Sequence, residues 1–195
     1  MRKTFHIASV MFLLFFLFGC EGIRYSQVAP EAKDFHPKRI GLLPADVGTY
    51  EEARGVIDQI MADVLVDTKW FNAVVRANVM NNRIESDEAL RKVYNDYIAK
   101  LRAVNYSDPD LSRKFGEMTK VDAFLLVEVD YWNYTTEKGD KVGKVGMGMK
   151  MVDTASGRII WKAGHYEAQD YIIMKPALTD VAKSLVKKMI KEMPH

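Results

Sequence analysis

The 195-residue chain has an ordinary globular composition, with 48% hydrophobic and 28% charged residues. Its formal net charge is +2, and the first nineteen residues contribute two basic residues and no acid, so residues 20–195 carry a net charge of zero. This balance argues against a nucleic-acid partner, which requires a clustered positive surface. The remaining length suits one domain with an ordinary core.

The first twenty residues are typical of an export signal. A basic start, Arg2 and Lys3, precedes an apolar run from Ile7 to Phe18 that only Ser9 interrupts. This run is about a dozen residues long, whereas a spanning helix needs roughly 20. The sequence therefore predicts a signal peptide over residues 1–19 rather than a permanent transmembrane helix.

Cys20 is the only cysteine in the chain, so no intramolecular disulfide can form. With Leu17, Phe18 and Gly19 it resembles the lipobox of bacterial lipoproteins, in which the cysteine becomes diacylated and N-terminal. The resemblance implies lipidation of Cys20. Glu21 stands where lipoproteins of the inner membrane often have Asp, which implies the outer membrane, with the domain facing the periplasm. The alternative is an ordinary signal peptide with a chance cysteine.

We predict that residues 20–37 form a lipidated tether to a domain at 38–195. Its composition is mixed, with Pro30 and Pro37 and no apolar period. A flexible coil of about eighteen residues spans about 23 Å on average and at most about 60 Å. We therefore expect a domain held near its membrane by a link without regular structure.

The first elements of the domain alternate strand and helix. Residues 39–43 are a short apolar run that predicts a buried strand. Thr49 and Glu52 match a capping box, and the apolar stripe behind them predicts a helix over 53–65. A second strand is predicted at 71–75.

Two more helices follow. Residues 76–84 predict an irregular or helical passage, and Ser86 is predicted to cap a long amphipathic helix over 90–101. Asp108 and the proline after it predict the start of a third, shorter helix.

The C-terminal part predicts an antiparallel meander. It comprises a strand at 121–132, a turn at Gly139, a hairpin over 142–171 and a last helix that begins near Pro176. The order β-α-β-α-α-β-β-β-α predicts an α/β (α+β) single domain. We expect a mixed sheet with early βαβ crossovers, a C-terminal antiparallel meander and helices packed on the sheet.

The hairpin has a clear side-chain period. Apolar residues at every second position up to Met151 alternate with glycines and a lysine, which predicts one buried strand face. A three-residue loop closed by a left-handed Gly157 would set Met151 opposite Trp161 and Met149 opposite Ala163. A one-residue slip would instead place the methionines opposite charged residues or glycine.

Four segments carry a family resemblance. They are Arg-Ile-Gly-Leu-Leu-Pro at 39–44, Trp-Phe-Asn-Ala-Val-Val-Arg-Ala-Asn-Val-Met at 70–80, Val-Asp-Ala-Phe-Leu-Leu-Val-Glu-Val at 121–129 and Met-Val-Asp-Thr-Ala-Ser-Gly-Arg-Ile-Ile-Trp-Lys at 151–162. In this order they resemble envelope lipoproteins related to the curli-secretion channel protein, whose periplasmic domain is similar to the N-terminal domain of the translocation protein TolB. The resemblance covers nearly all of 38–192. It implies neither a channel, since the chain has no room for the membrane-spanning hairpins, nor catalytic residues.

Tyr131, Trp132 and Tyr134 are the best candidates for a protein contact surface, because aromatic residues are enriched at interface cores. A strand that extends the core is the alternative reading. Four glycines of the hairpin would admit a ligand or a neighbouring subunit close to the backbone, unless a helix packs tightly over them. These are Gly143, Gly146, Gly148 and Gly164.

Metal binding and catalysis have little support in the sequence. His165, Glu167 and Asp170 are close together, but metal sites normally converge from several segments, so we expect no metal and no cofactor. The sequence has no Gly-x-Ser-x-Gly and no P-loop. We therefore expect a protein that is not an enzyme.

Two classes of function remain. The first is a lipid-anchored accessory or scaffold lipoprotein that self-associates or docks on an envelope machine for secretion, transport or cell-wall synthesis. The second is a lipoprotein that binds a small ligand or glycan. An exposed aromatic or glycine-lined edge favours the first class, and a closed pocket with convergent polar groups favours the second.

Overall fold

The computed structural model describes residues 23–104 and 106–195, which form a six-stranded sheet with helices on both faces. The strands are β1 (Tyr25–Val28), β2 (Arg39–Leu42), β3 (Ala73–Val75), β4 (Ala123–Glu137), β5 (Asp140–Asp153) and β6 (Ile159–Asp170). The helices are α1 (Val56–Thr68), α2 (Ala77–Ser86), α3 (Glu88–Val104), α4 (Pro109–Thr119) and α5 (Leu178–Ile190). Short 3-10 turns span Pro30–Asp34 and Glu51–Ala53.

The sheet is mixed, with the strand order β1-β6-β5-β4-β2-β3. Strand β2 lies between β3 and β4 and is parallel to both, because helical crossovers connect these strands. Strands β4, β5 and β6 form an antiparallel meander, and β1 pairs antiparallel with β6. The predicted combination of early crossovers and a late meander is confirmed.

One face of the sheet packs against α1 and α5. Alternate residues of β5 point into this layer, and Met147, Met149 and Met151 are almost completely buried. Helix α5 covers them with the apolar stripe predicted from its sequence, while Lys183 and Lys187 on its other side are exposed. We call this side of the sheet the α1/α5 face.

The opposite face packs against α2, α3 and α4. Its apolar cluster includes Phe124 on β4, and the rings of Tyr97 and Phe115 meet Phe124 edge-on with centroids 5.3 and 5.5 Å away. Burial raises the pKa of Tyr97 to about 12, and its hydroxyl hydrogen-bonds to the Ser107 hydroxyl at 2.7 Å. We call this side the α2–α4 face.

The predicted hairpin register is confirmed, since Met151 pairs with Trp161 and Met149 with Ala163. The loop itself differs from the prediction. The Asp153 N–H donates to the Arg158 carbonyl at 3.0 Å, which leaves a four-residue loop, 154–157, with Gly157 at φ 71°. A register shift between Met151 and Val152 absorbs the extra residue, so the pairing beyond it is unchanged.

The prediction of an irregular tether over 20–37 is wrong for much of that segment. Residues 25–28 form β1 on the edge of the sheet, and the Ala29 N–H donates to the Ile160 carbonyl at 2.8 Å. Every residue of β1 is exposed, so backbone hydrogen bonds rather than an apolar stripe hold it, and no period reveals it. The predicted signal peptide and Cys20 lie outside the described residues.

Two of the three predicted helix caps need correction. Helix α1 follows Gly55, whose φ is 72°, without a side-chain cap, so the Thr49–Glu52 capping box does not form. Helix α3 is capped by Asp87, whose Oδ1 accepts the Leu90 N–H at 3.0 Å. The Ser86 hydroxyl donates back into α2 instead.

The predicted cap at Asp108 is confirmed. Its Oδ1 accepts the N–H groups of Asp110 and Leu111 at 3.0 and 3.1 Å. A hydrogen bond from Lys100 holds the pKa of this carboxyl below its usual range. The cap therefore joins the start of α4 to α3.

Candidate contact surface and adjoining cavity

A β-bulge at Asp130 decides which face the predicted aromatic residues occupy. Val129 pairs with Met147 and Tyr131 with Gly146, so Asp130 is an extra residue in β4. The bulge shifts the alternation by one and turns Trp132 into the core on the α1/α5 face, where it is 7% exposed. The structure therefore removes Trp132 from the predicted contact surface.

Tyr131 and Tyr134 lie on opposite faces of the sheet. Tyr131 is half-buried on the α2–α4 face, opposite Gly146. Tyr134 is opposite Gly143 on the α1/α5 face, 39% exposed, and its hydroxyl donates to the Pro176 carbonyl at 2.8 Å. The three predicted residues therefore do not form one surface, and contact with a partner through either tyrosine stays a prediction.

On the α2–α4 face, the rings of Tyr131 and Tyr166 both lie next to the ammonium group of Lys144. The Lys144 Nζ lies 4.2 Å from the ring centroid of Tyr131 and 4.4 Å from that of Tyr166, which is cation–π geometry. The same ammonium lies 2.6 Å from a carboxylate oxygen of Glu137. Lys144 thus stabilises both rings and presents a mixed aromatic and charged patch, which we call the tyrosine cluster (Tyr131, Lys144, Tyr166).

Three of the four hairpin glycines make room for this chain's own side chains. A Cβ on Gly146 would lie 2.5 Å from the Tyr131 ring, and one on Gly143 would lie 2.8 Å from Pro176. The Tyr25 ring similarly lies over Gly164, with its Cζ 2.6 Å from the position of a Cβ. At Gly148, in contrast, a Cβ would meet nothing within 4 Å. Of the four, only Gly148 leaves open space over the sheet.

Gly148 lies on the floor of a cavity of about 420 Å³ between α3 and the sheet. Charged and aromatic side chains around it include Tyr25, Asp46, Arg102, Glu128, Asp130 and Lys150. The Arg102 guanidinium lies 2.5 Å from the Asp46 carboxylate. Burial raises the pKa of Asp130, and the nearby charge of Arg24 opposes this shift.

The backbone fixes one wall of this cavity. The Asp46 N–H donates to the Val127 carbonyl at 2.9 Å, and the Asp46 carbonyl accepts the Val129 N–H at 2.8 Å. This bridge lies beside the bulge, where Glu128 and Asp130 are both exposed. The cavity is therefore an open, mixed-charge groove, suited to a polar ligand rather than to chemistry that excludes water.

His165, Glu167 and Asp170 follow one another along β6 and do not converge with ligands from other segments. The His165 Nδ1 accepts the backbone N–H of Arg24 at 3.1 Å, which holds the chain just before β1. Within residues 23–104 and 106–195, no group of three His, Cys, Asp or Glu side chains has an arrangement suited to a metal ion.

The sequence analysis did not single out a strongly exposed apolar segment between β6 and α5. Ile172, Ile173 and Met174 are 91%, 94% and 84% exposed. Next to them, Tyr171 packs edge-on against Tyr134 with ring centroids 5.9 Å apart, and the Lys175 Nζ lies 4.6 Å from the Tyr134 ring centroid. We call residues 172–174 the Ile-Ile-Met loop.

No family model matches the sequence, and no curated protein matches it. Solved structures do share the fold. The PelC dodecamer from Paraburkholderia phytofirmans matches with a TM-score of 0.55 and 14% identity, over 88% of this chain and 98% of that chain. Lipoprotein GNA1162 from Neisseria meningitidis matches with a TM-score of 0.51 and 18% identity, over 80% of this chain and 100% of that chain.

At these identities the matches establish a shared fold. The expectation that the chain shares its fold with a bacterial lipoprotein is confirmed, while the finer resemblance to the curli-secretion channel protein and TolB stays a prediction. No helix among the described residues has the length and apolar character needed to cross a membrane.

Proposed function

We propose that this chain is a lipid-anchored scaffold or accessory protein of the outer membrane that faces the periplasm. It acts by contact with copies of itself or with an envelope machine for secretion, transport or cell-wall synthesis, and it is not an enzyme. The observation that carries the proposal is the fold match over 88% of the chain to a protein that assembles as a dodecamer. The lipobox-like sequence that ends at Cys20 and the fold shared with lipoprotein GNA1162 from Neisseria meningitidis support the anchor.

The two open edges of the sheet support self-association. Strand β1 lies at one edge and β3 at the other, and the pairings between them make β1 antiparallel to β3. The β1 edge of one copy therefore has the direction needed to pair antiparallel with the β3 edge of the next. Such head-to-tail contacts close into rings when the rotation permits.

Strand β1 also presents the apolar surface that an interface requires. Tyr25 and Val28 are 45% and 53% exposed. Because the Ala29 N–H points to β6, the N–H of Val28 points to the outer edge, where it is available to a second chain.

The full-length chain, expressed with its own signal in a bacterial host and purified in detergent, tests the proposal. We expect mass spectrometry to find Cys20 lipidated and N-terminal, and light scattering to find an oligomer. Val28→Pro removes the outward N–H without removing a hydrogen bond to β6, so it should shift the oligomer to monomer. The control Val28→Thr keeps that N–H and should leave the oligomer intact.

Other results would contradict this function. An unmodified Cys20 would refute the anchor. A monomer at high micromolar concentration, with no partner recovered by cross-linking in cells, would refute action by protein contact. Those results would favour the alternative, a binding protein for a small ligand or glycan. Its site would be the cavity above Gly148, whose volume of about 420 Å³ falls within the usual range for ligands.

A further inference from the structure

The Ile-Ile-Met loop is the most exposed large apolar segment among the described residues. Its three side chains are at least 84% exposed, whereas no other large apolar side chain among those residues exceeds 53%. Three consecutive apolar side chains in water are unfavourable in a soluble protein, and such a run marks a contact site. The exposure of this loop therefore makes it a candidate for contact with another surface.

The loop lies at the end of the sheet from which the N-terminal chain enters. Strand β6 runs toward the loop, and β1 runs antiparallel to β6, away from it. Ile23 and Arg24 therefore lie on the loop side of Tyr25, and the contact between Arg24 and His165 follows this direction. The described chain therefore begins on the side of Tyr25 that faces the loop, and the predicted lipid anchor at Cys20 precedes Ile23 by three residues.

Two chain lengths place the loop at least as close to the membrane as the anchor: the length of β6 beyond Gly164, and the length of chain between Cys20 and Tyr25. Tyr25 pairs with Gly164, and β6 continues for six residues to Asp170, which is about 20 Å at about 3.3 Å per residue. Five residue steps separate Cys20 from Tyr25, and a fully extended chain of that length reaches at most about 17 Å. The loop begins beyond Asp170, so it lies at or beyond the greatest height that Cys20 reaches.

Three residues next to the loop are of the kinds that favour the boundary between lipid and water. Tyr134 and Tyr171 form an edge-on pair beside it, and Lys175 lies against the Tyr134 ring. The turn between β4 and β5 is at the same end, since the Tyr171 N–H donates to the Lys141 carbonyl at 2.9 Å. Tyrosine rings and lysines are enriched at membrane interfaces, where apolar tips enter the acyl region by about 5 to 10 Å.

We infer that the Ile-Ile-Met loop inserts into the periplasmic leaflet of the membrane that carries the Cys20 anchor. The loop and the lipid form two separate contacts, and together they hold the strands end-on to the membrane. This inference rests on the lipid anchor of the proposed function.

A single-site fluorescent label tests the insertion. A lipidated Cys20 has no free thiol, so Ile173→Cys provides the one reactive cysteine in the full-length chain. The control is Val66→Cys, which is 48% exposed near the end of α1. Helix α1 leads to the start of β3, so this control lies at the opposite end of the sheet. Each lipidated protein is labelled with an environment-sensitive dye and reconstituted into vesicles of phosphatidylethanolamine and phosphatidylglycerol.

The inference expects lipid-borne quenchers near the headgroup to quench the label at residue 173 several-fold more than the label at residue 66. Aqueous iodide should show the reverse order. A label at residue 173 that iodide reaches as readily as the control would overturn the inference. A label shielded from both quenchers would also overturn it, since the loop would then be covered by protein. A chain that does not float with the vesicles would contradict the anchor itself, which separates the two failures.

Discussion

Replacing Trp161 tests both the hairpin register and the attachment of β1 to the domain. Trp161 is fully buried opposite Met151, and its Nε1–H donates to the Ser26 hydroxyl at 3.1 Å. Trp161→Ala removes a large buried side chain and leaves a cavity in the α1/α5 layer, which should lower the free energy of unfolding by about 3 to 5 kcal/mol. Urea denaturation followed by circular dichroism measures this loss.

Two milder changes separate the packing of Trp161 from its hydrogen bond. Trp161→Phe keeps most of the buried ring and loses the Nε1–H donor, while Ser26→Ala removes the acceptor alone. Ser26→Ala should destabilise by about 1 to 3 kcal/mol because it leaves a buried donor unpaired. Since the two residues touch, the double variant Trp161→Phe/Ser26→Ala should lose less free energy of unfolding than the sum of the two single losses. The coupling should be about 0.5 to 1.5 kcal/mol.

Two results would refute this reasoning. A loss below about 1 kcal/mol for Trp161→Ala would place the indole on the solvent side and reject the register. A coupling near zero between positions 26 and 161 would mean that β1 is not docked on β6. In that case the tether would be longer than the structure indicates.

Three further predictions use matched pairs or a pH series, each measured by chemical denaturation. Asp87→Ala should destabilise by about 0.5 to 2 kcal/mol because Asp87 caps α3, while Ser86→Ala should stay within about 0.5 kcal/mol. Gly146→Ala should destabilise by about 1 to 3 kcal/mol through the clash with a tyrosine ring, while Gly148→Ala, in open space, should be neutral or stabilising by up to about 1 kcal/mol. Burial raises the pKa of Asp58, so its ionisation weakens folding as the pH rises. Asp58→Asn should therefore be more stable than the natural chain at neutral pH, and this advantage should vanish as the pH falls through the raised pKa toward the ordinary aspartate value.

Elements with a strong side-chain period could be predicted from the sequence. The alternating methionines of β5 and the apolar stripe of α5 both lie in the core as expected. In these segments, the positions that the period of the helix or strand places on one face are the same positions that carry apolar residues, so local geometry and burial agree. The hairpin register followed because a slip would have exposed apolar residues such as Met151.

Features held by backbone contacts could not be predicted in this way. Strand β1 is exposed at every position, so only its hydrogen bonds to β6 distinguish it from a coil. The bulge at Asp130 has no signature in composition, yet it reverses the facing of every later residue of β4. That reversal moved Trp132 from the predicted surface into the core and separated Tyr131 from Tyr134.

The docking of β1 changes what the proposed assembly requires. A coil of about eighteen residues would let the domain lie up to about 60 Å from its anchor, whereas the five residue steps between Cys20 and Tyr25 allow at most about 17 Å. If the ends of the strands meet the membrane, the open edges β1 and β3 face sideways, toward neighbouring copies in the same plane. Membrane contact and edge pairing therefore use different parts of the sheet and do not compete.

This separation gives a final expectation. Each copy in a ring adds its own lipid and its own Ile-Ile-Met loop, so the assembly should dissociate from vesicles far more slowly than one subunit. Val28→Pro lies on the β1 edge and leaves the loop unchanged. It should therefore speed the transfer of the lipidated protein between vesicles, while the quenching of a label at residue 173 in the membrane-bound fraction stays the same. If Val28→Pro both speeds the transfer and abolishes the quenching at residue 173, the loop reaches the membrane only within an oligomer. That result would contradict the geometry of the single chain.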